Sequence, residues 1–110
     1  MTSREHQSAF ARYVGLLIAH ATKLGYELTF GEAWRPEWVA REYERRGVGK
    51  KNSSHCKRLA IDLNLFLAGK WLKDSGAHQP LGEYWESLDT RCVWGGRFAK
   101  PDGNHYSFGE

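Results

Sequence analysis

The chain has 110 residues, of which 41% are apolar, 14% aromatic and 26% charged. This balance excludes a disordered chain and favours a single folded domain, residues 1–110, with a core of its own. The formal net charge of +3 allows a polyanionic partner without choosing among nucleic acid, anionic membrane and bacterial wall. No apolar run approaches the ~20 residues of a membrane span and no signal peptide is recognisable, so we expect synthesis and folding in the cytoplasm.

The first predicted element is an amphipathic helix near the N-terminus. Thr2 and Glu5 form a capping-box pattern, apolar residues then recur at helical spacing, and Gly25 supplies a stop. Residues 26–30 alternate between apolar and polar types, which predicts a short strand. Pro36 can then open a second helix that runs to residue 47.

A small, polar loop over residues 47–54 leads to His55 and to a core strand over residues 58–67. One face of this strand is aliphatic, with Leu59, Ile61, Leu63, Leu65 and Leu67. The other face carries Asp62. This strand is therefore predicted to combine a core face with a chemical face.

A third, shorter helix is predicted over residues 81–88, after Pro80. A glycine-rich stretch at residues 94–96 follows, and residues 105–108 can form a last strand. Helices and short strands are interspersed without regular alternation, so we predict an α+β fold with a small, largely antiparallel sheet flanked by helices.

Asp62 is the first chemical anomaly, because a carboxylate within an aliphatic strand must be paired, hydrogen-bonded or bound to a cation. A buried salt bridge to an arginine is one explanation. His55 precedes the same strand and His105 begins the last one, so two imidazoles and one carboxylate can hold a tetrahedral zinc with the fourth position left for water. Cys56 could close that position, but in an extended segment it would point away from His55. We expect Cys56 and Cys92 to be reduced thiols.

Three further residues are candidates for the chemistry of such a site. Asp102 lies on a proline-glycine turn before His105 and is the candidate general base, with a simple Asx-turn as the alternative. Arg35 could bind a substrate carboxylate or stabilise an oxyanion, or it could be a surface arginine. Ser53 could help hold the same substrate group, or it could serve only the loop.

Two motifs carry a family resemblance. Residues 53–62 read Ser-Ser-His-Cys-Lys-Arg-Leu-Ala-Ile-Asp, which resembles the Ser-x-His-x-x-Gly-x-Ala-x-Asp signature of M15 metallopeptidases, the D-alanyl-D-alanine carboxypeptidases and their VanY-like relatives. Residues 102–105, Asp-Gly-Asn-His, resemble the second motif of that family, and residues 94–96, Trp-Gly-Gly, precede it as in phage members. Arg58 stands where the signature has glycine, a substitution that leaves the zinc-binding positions unchanged.

The resemblance covers about residues 26–108 and implies a role for each candidate residue. His55, Asp62 and His105 would bind one Zn²⁺ per chain, Asp102 would be the catalytic base, and Arg35 with Ser53 would contact the substrate. It implies a peptidoglycan hydrolase, and the lack of a signal peptide favours a phage endolysin that cuts the L-alanyl-D-glutamate bond of stem peptides by attack of zinc-bound water. We expect a monomer in the host cytoplasm, released to the cell wall by a holin, with no nucleic-acid partner and no stable membrane insertion.

Three alternatives stay open at this stage. A D-alanyl-D-alanine carboxypeptidase or dipeptidase of the same family would use the same residues. A non-haem iron oxygenase also uses two histidines and one carboxylate, although the seven-residue spacing between His55 and Asp62 argues against it. A non-catalytic domain that binds the cell wall or nucleic acid through its positive charge would give Asp62 and Asp102 no part in activity.

Overall fold

The protein is described from a computed structural model, which covers residues 1–48 and 53–109. Within these ranges the helices are α1 (Ser3–Lys23), α2 (Glu37–Arg45) and α3 (Gln79–Leu88), and the strands are β1 (Glu27–Phe30), β2 (Ala60–Leu67), β3 (Lys70–Leu72), β4 (Cys92–Trp94) and β5 (His105–Phe108). All the strand pairings are antiparallel, so the predicted α+β class is confirmed. None of the described helices has the length and apolar character to cross a membrane.

Helix α1 begins and ends where its sequence signals predict. The Thr2 side chain accepts a hydrogen bond from the Glu5 amide at 3.2 Å, and the Glu5 carboxylate accepts one from the Thr2 amide at 3.1 Å. This reciprocal pair satisfies two amides that have no partner within the helix. Gly25 ends the helix with φ of +91°, a conformation that glycine adopts without steric cost.

Strand β2 is the centre of the sheet, whose strand order is β1-β2-β5-β4 with β3 also paired to β2. Its first residues pair with β5, and its later residues pair with β1 and β3. The aliphatic face of β2 packs on helices α1 and α3 in one hydrophobic core, whose largest fully buried members are Trp85, Tyr106, Phe108, Leu17, Leu63, Leu65 and Leu81. Because the aliphatic face of β2 packs into this core, the face that carries Asp62 points to the opposite side of the sheet.

Several details of the predicted elements were wrong. Strand β2 starts at residue 60 rather than 58, and Leu67 of its aliphatic face is 43% exposed, so the core face does not extend to the end of the strand. The short strands β3 and β4 were not predicted, since three residues give too little alternation to recognise. The predicted loop 47–54 ends in a 3-10 turn over Ser54–Lys57, and residues 49–52 of that loop lie outside the described residues.

Candidate active site

The structure brings together the side chains of His55, Asp62 and His105. Asp62 and His105 are directly opposite each other in the β2–β5 ladder, so their side chains project from the same face of the sheet. His55 Nε2 lies 3.2 Å from Asp62 Oδ1, and His105 Nδ1 lies 3.6 Å from the same oxygen. The two imidazole rings meet edge to face with their centroids 5.2 Å apart.

His55 reaches this place through the 3-10 turn over Ser54–Lys57. The Ser53 hydroxyl accepts a hydrogen bond from the His55 amide at 3.2 Å and so caps the turn. The His55 carbonyl accepts hydrogen bonds from the Arg35 amide at 3.2 Å and the Arg58 amide at 3.3 Å. Because the segment is a turn and not extended, the predicted reason for turning Cys56 away from the metal does not hold. Among the described residues, Cys56 and Cys92 form no disulfide, in agreement with the prediction of reduced thiols.

The backbone conformation of Arg58 explains why the signature motif has glycine at this position. Its φ of +61° and ψ of +34° place it in the left-handed region, which costs a residue with a side chain about 1–2 kcal/mol. The turn carrying His55 must bend there to enter β2, so glycine is the natural residue at this position. The Arg58 guanidinium lies 4.5 Å from the centre of the Trp34 ring, a cation–π contact that offsets part of this cost.

The three side chains fit a divalent metal ion. One ligand atom from each can be chosen so that all lie within 4.8 Å of one another. Both histidines are buried, and the buried atoms His55 Nδ1 and Asp62 Oδ1 have no hydrogen-bond partner among the described residues. A buried carboxylate oxygen without a hydrogen bond is costly, and a cation would satisfy it. Two imidazoles and one carboxylate are a donor set that zinc accepts in catalytic sites.

The pKa of Asp62 is consistent with a metal ligand. Burial raises this pKa, but the imidazoles of His105 and His55 lower it by more, to about 2. The carboxylate is therefore ionised at neutral pH. The ion pairs of Asp62 are with histidines, so the predicted alternative of a buried salt bridge to an arginine is not what the described residues show.

Asp102 lies on a loop that several hydrogen bonds hold next to the candidate metal ligands. Its amide donates to the Gly95 carbonyl at 2.9 Å. The Trp94 indole donates to the Gly103 carbonyl at 2.7 Å, and the Gly103 amide donates to the Ser75 hydroxyl at 2.9 Å. A side chain at Gly95 would collide with the Asp102 carbonyl, so only glycine fits there. The predicted glycine-rich stretch therefore serves to anchor this loop.

Burial and the other charges of the site shift the pKa of the Asp102 carboxylate. Partial burial, followed by the negative charge of Asp62, raises its pKa above the ordinary value, and His105 and His55 oppose this rise. A pocket of about 220 Å³ opens beside it, lined by Asn64, Trp71, Leu72, Lys73, Ser75, His78, Asp102, Gly103 and Asn104. Asp102 thus lines this pocket and interacts electrostatically with the candidate metal ligands.

Arg35 is not a free surface arginine, because its side chain is 13% exposed and bound to Glu32. Arg35 Nε lies 2.8 Å and Nη2 lies 2.5 Å from Glu32 Oε1. Burial lowers the pKa of Arg35, but the carboxylate of Glu32 raises it by more, so the guanidinium stays charged. Glu32 was not predicted as a site residue, although a carboxylate three residues before a candidate arginine was a visible signal.

Comparison with known proteins identifies the family. A profile described as D-alanyl-D-alanine carboxypeptidase, of the M15 peptidases, matches residues 46–108, more than half of the chain. The chain belongs to this family. The predicted M15 resemblance is therefore confirmed, and the protein is a peptidase. The matched segment contains the three metal-binding candidates, Ser53 and Asp102, whereas Arg35 lies before it.

The fold has a counterpart of known structure. The crystal structure of the L-Ala D-Glu endopeptidase ChiX from Serratia marcescens is similar to 96% of this chain and 85% of that chain, with a TM-score of 0.77. The two sequences are 19% identical, so this likeness concerns the fold. No curated protein sequence matches this chain.

Proposed function

We propose that the protein is a zinc peptidase that hydrolyses the L-alanyl-D-glutamate bond of peptidoglycan stem peptides. The observation that carries this proposal is the buried cluster of His55, Asp62 and His105 in a chain of the M15 family. The proposed bond is supported by the likeness of the fold to an L-Ala D-Glu endopeptidase.

Each residue of the site has a part in the proposed reaction. A zinc ion bound by His55, Asp62 and His105 would lower the pKa of water to about 7 and polarise the scissile carbonyl. Asp102 takes the proton of the attacking water and passes it to the leaving amine. Its raised pKa suits this role, because a base is most effective when its pKa approaches the working pH.

Arg35 and Ser53 are proposed to contact the substrate. The charged guanidinium of Arg35 is suited to a substrate carboxylate. The Arg35 amide donates a hydrogen bond to the His55 carbonyl, so Arg35 is a neighbour of a proposed metal ligand. The Ser53 hydroxyl already accepts a hydrogen bond from the His55 amide. Any contact with substrate would therefore use the hydroxyl proton or the second lone pair of this oxygen.

A second candidate function is that of a D-alanyl-D-alanine carboxypeptidase or dipeptidase, which the description of the matching family favours. Both substrates place a carboxylate beside the scissile amide. In D-Ala-D-Ala this is the terminal carboxylate, and in L-Ala-D-Glu it is the free α-carboxylate of D-Glu. One arginine could therefore serve either reaction, and the distinction must come from the products.

The proposed setting is bacterial lysis by a phage. As an endolysin, the protein would stay in the host cytoplasm as a monomer, with no nucleic-acid partner and no stable membrane insertion, until a holin lets it reach the wall. Co-expression with and without a holin tests this role. Lysis of the culture that depends on the holin is expected, and lysis independent of the holin would contradict it.

Mass spectrometry of purified peptidoglycan digested with the protein tests the reaction. New N-terminal D-Glu identifies the proposed endopeptidase, whereas released D-Ala identifies the carboxypeptidase. A chelator should abolish either product, and added zinc should restore it. Wall binding without any cleavage would instead support a non-catalytic domain.

Metal analysis of protein purified without added metal separates the peptidase from an iron oxygenase. Zinc close to one per chain is expected from three good ligands. Stoichiometric iron together with oxygen uptake would overturn the zinc proposal.

A further inference from the structure

Glu32 occupies a position between Arg35 and the proposed metal ligands. Its Oε1 atom lies 3.6 Å from His55 Nδ1 and 2.8 Å from Arg35 Nε. Its main-chain carbonyl accepts a hydrogen bond from the Asp62 amide at 2.9 Å. One residue therefore touches two of the three metal-binding candidates and the arginine beside them.

The two nitrogens of His55 face different partners. Nε2 lies 3.2 Å from Asp62 Oδ1, so it is the nitrogen directed at the metal position. Nδ1 is buried, has no hydrogen-bond partner among the described residues, and faces the Glu32 carboxylate. A histidine that binds a metal through one nitrogen usually donates the other N–H to a carboxylate or carbonyl, which fixes the tautomer and the ring orientation.

We propose that Glu32 is a positioning residue that accepts the Nδ1 proton of His55 in a hydrogen bond and so directs the Nε2 lone pair at the metal. The inference rests on the proposed zinc site. The separation of 3.6 Å exceeds a hydrogen bond by a few tenths of an ångström, which a small side-chain rotation removes.

Arg35 supports this arrangement from the other side. Its guanidinium binds the same oxygen of Glu32, so the carboxylate is held in place and its negative charge is balanced within the site. The main-chain bond from Asp62 fixes the backbone of Glu32 relative to β2. Arg35, Glu32 and His55 thus form one connected chain of contacts that ends at the metal position.

The test is the zinc dissociation constant, measured by competition with a chromophoric chelator. Removing such a partner of a metal-bound histidine weakens metal binding by about 10–100-fold, so this loss is expected for Glu32→Ala. Glu37→Ala is the matched control, because Glu37, like Glu32, binds an arginine close by in the sequence but lies on the exposed side of α2. Its zinc affinity should equal that of the wild type.

Two further variants separate the effect on His55 from the pair with Arg35. Arg35→Ala removes the ion pair but leaves the carboxylate beside His55, so its loss of zinc affinity should be clearly smaller than that of Glu32→Ala. Glu32→Gln keeps an oxygen that can accept the Nδ1 proton, so an intermediate loss is expected. This conservative variant carries the test if Glu32→Ala does not fold.

Nitrogen-15 NMR of the zinc-bound protein gives an independent readout. The His55 ring should carry its proton on Nδ1, in a hydrogen bond that disappears in Glu32→Ala. Equal zinc affinity of wild type and a folded Glu32→Ala, or equal losses in Arg35→Ala and Glu32→Ala, would overturn the inference alone. Failure of the wild type to bind zinc would overturn the proposed function as well.

Discussion

The two ends of strand β2 differ in how they are held. The first end, where Asp62 lies, pairs with β5, and its main chain also bonds to the residues that follow β1. The other end turns back into β3 through Ala68 and Gly69, and there Leu67 is 43% and Trp71 50% exposed. One strand therefore joins a buried site, assembled from distant segments, to a local hairpin.

This difference predicts where the protein tolerates change. At the site end, each side chain is constrained by partners far away in the sequence, so a single substitution disturbs several contacts. At the hairpin end, Leu65 and Phe66 also pair with β1, but the turn itself joins neighbours in sequence, and Leu67 and Trp71 reach solvent.

The largest effect is expected on catalysis at the site end. Asp102→Asn should keep zinc but lower the rate of stem-peptide hydrolysis by about 10²–10⁴-fold, because an amide cannot accept the proton of the attacking water. His105→Ala should lose both zinc and hydrolysis. Rate assays paired with metal analysis check this. Equal hydrolysis by wild type and Asp102→Asn would refute the role of Asp102 as base.

Gly95→Ala should destabilise the site end by about 1–3 kcal/mol, the usual cost of overpacking, and should displace the loop of Asp102. The added methyl group would meet the Asp102 carbonyl and come within 2.8 Å of the His105 Cβ. Gly15→Ala is the matched control, because nothing lies within 4 Å of its added methyl group in helix α1. There, alanine should stabilise the protein by about 1 kcal/mol. Chemical denaturation measures both, and equal effects would contradict the prediction.

A buried histidine near the pocket should make stability depend on pH. Burial lowers the pKa of His78 to about 4 from 6.5, and its Nδ1 lies 2.8 Å from the Tyr106 hydroxyl. The unfolded state therefore binds more protons between these two values, and stability falls as the pH falls from 7 toward 4. His78 should account for about 2 kcal/mol of the loss between pH 7 and pH 5.

The control for this prediction is His78→Gln, unfolded with denaturant at both pH values in the same chelating buffer. The difference between the two proteins isolates His78, because every other titratable group is the same in both. A pH dependence of the same size in wild type and His78→Gln would contradict the prediction.

The smallest effect is expected at the hairpin end. Ala68 has φ of +50°, a left-handed conformation that favours glycine, so Ala68→Gly should stabilise the protein by up to about 1 kcal/mol. Ala19→Gly, on the exposed side of α1, should instead destabilise by about 1 kcal/mol. Thermal unfolding measures both changes. Hydrolysis should be unaffected by Ala68→Gly, and a large loss of activity would contradict the independence of the two ends.

The sequence predicted the elements whose signals are local. Helix α1 followed from its capping box and from Gly25, and β5 was predicted with the bounds that the structure gives. The short strands β3 and β4 were missed, because three residues gain their strand conformation from pairing with neighbours rather than from their own pattern. The turn before β2 was also missed, since it depends on the cap by Ser53 and on the left-handed conformation of Arg58.

The sequence by itself determined the family motifs and named His55, Asp62 and His105, because their residue types and the strand around Asp62 carry that information locally. Only the tertiary structure decided that Asp62 and His105 face each other across two strands, and that Glu32 lies between Arg35 and His55. These relations depend on strand register and on loops closing over long stretches of chain, which no local pattern encodes. The proposed metal site therefore depends on the folded sheet, although the sequence alone identifies the residues that would form it.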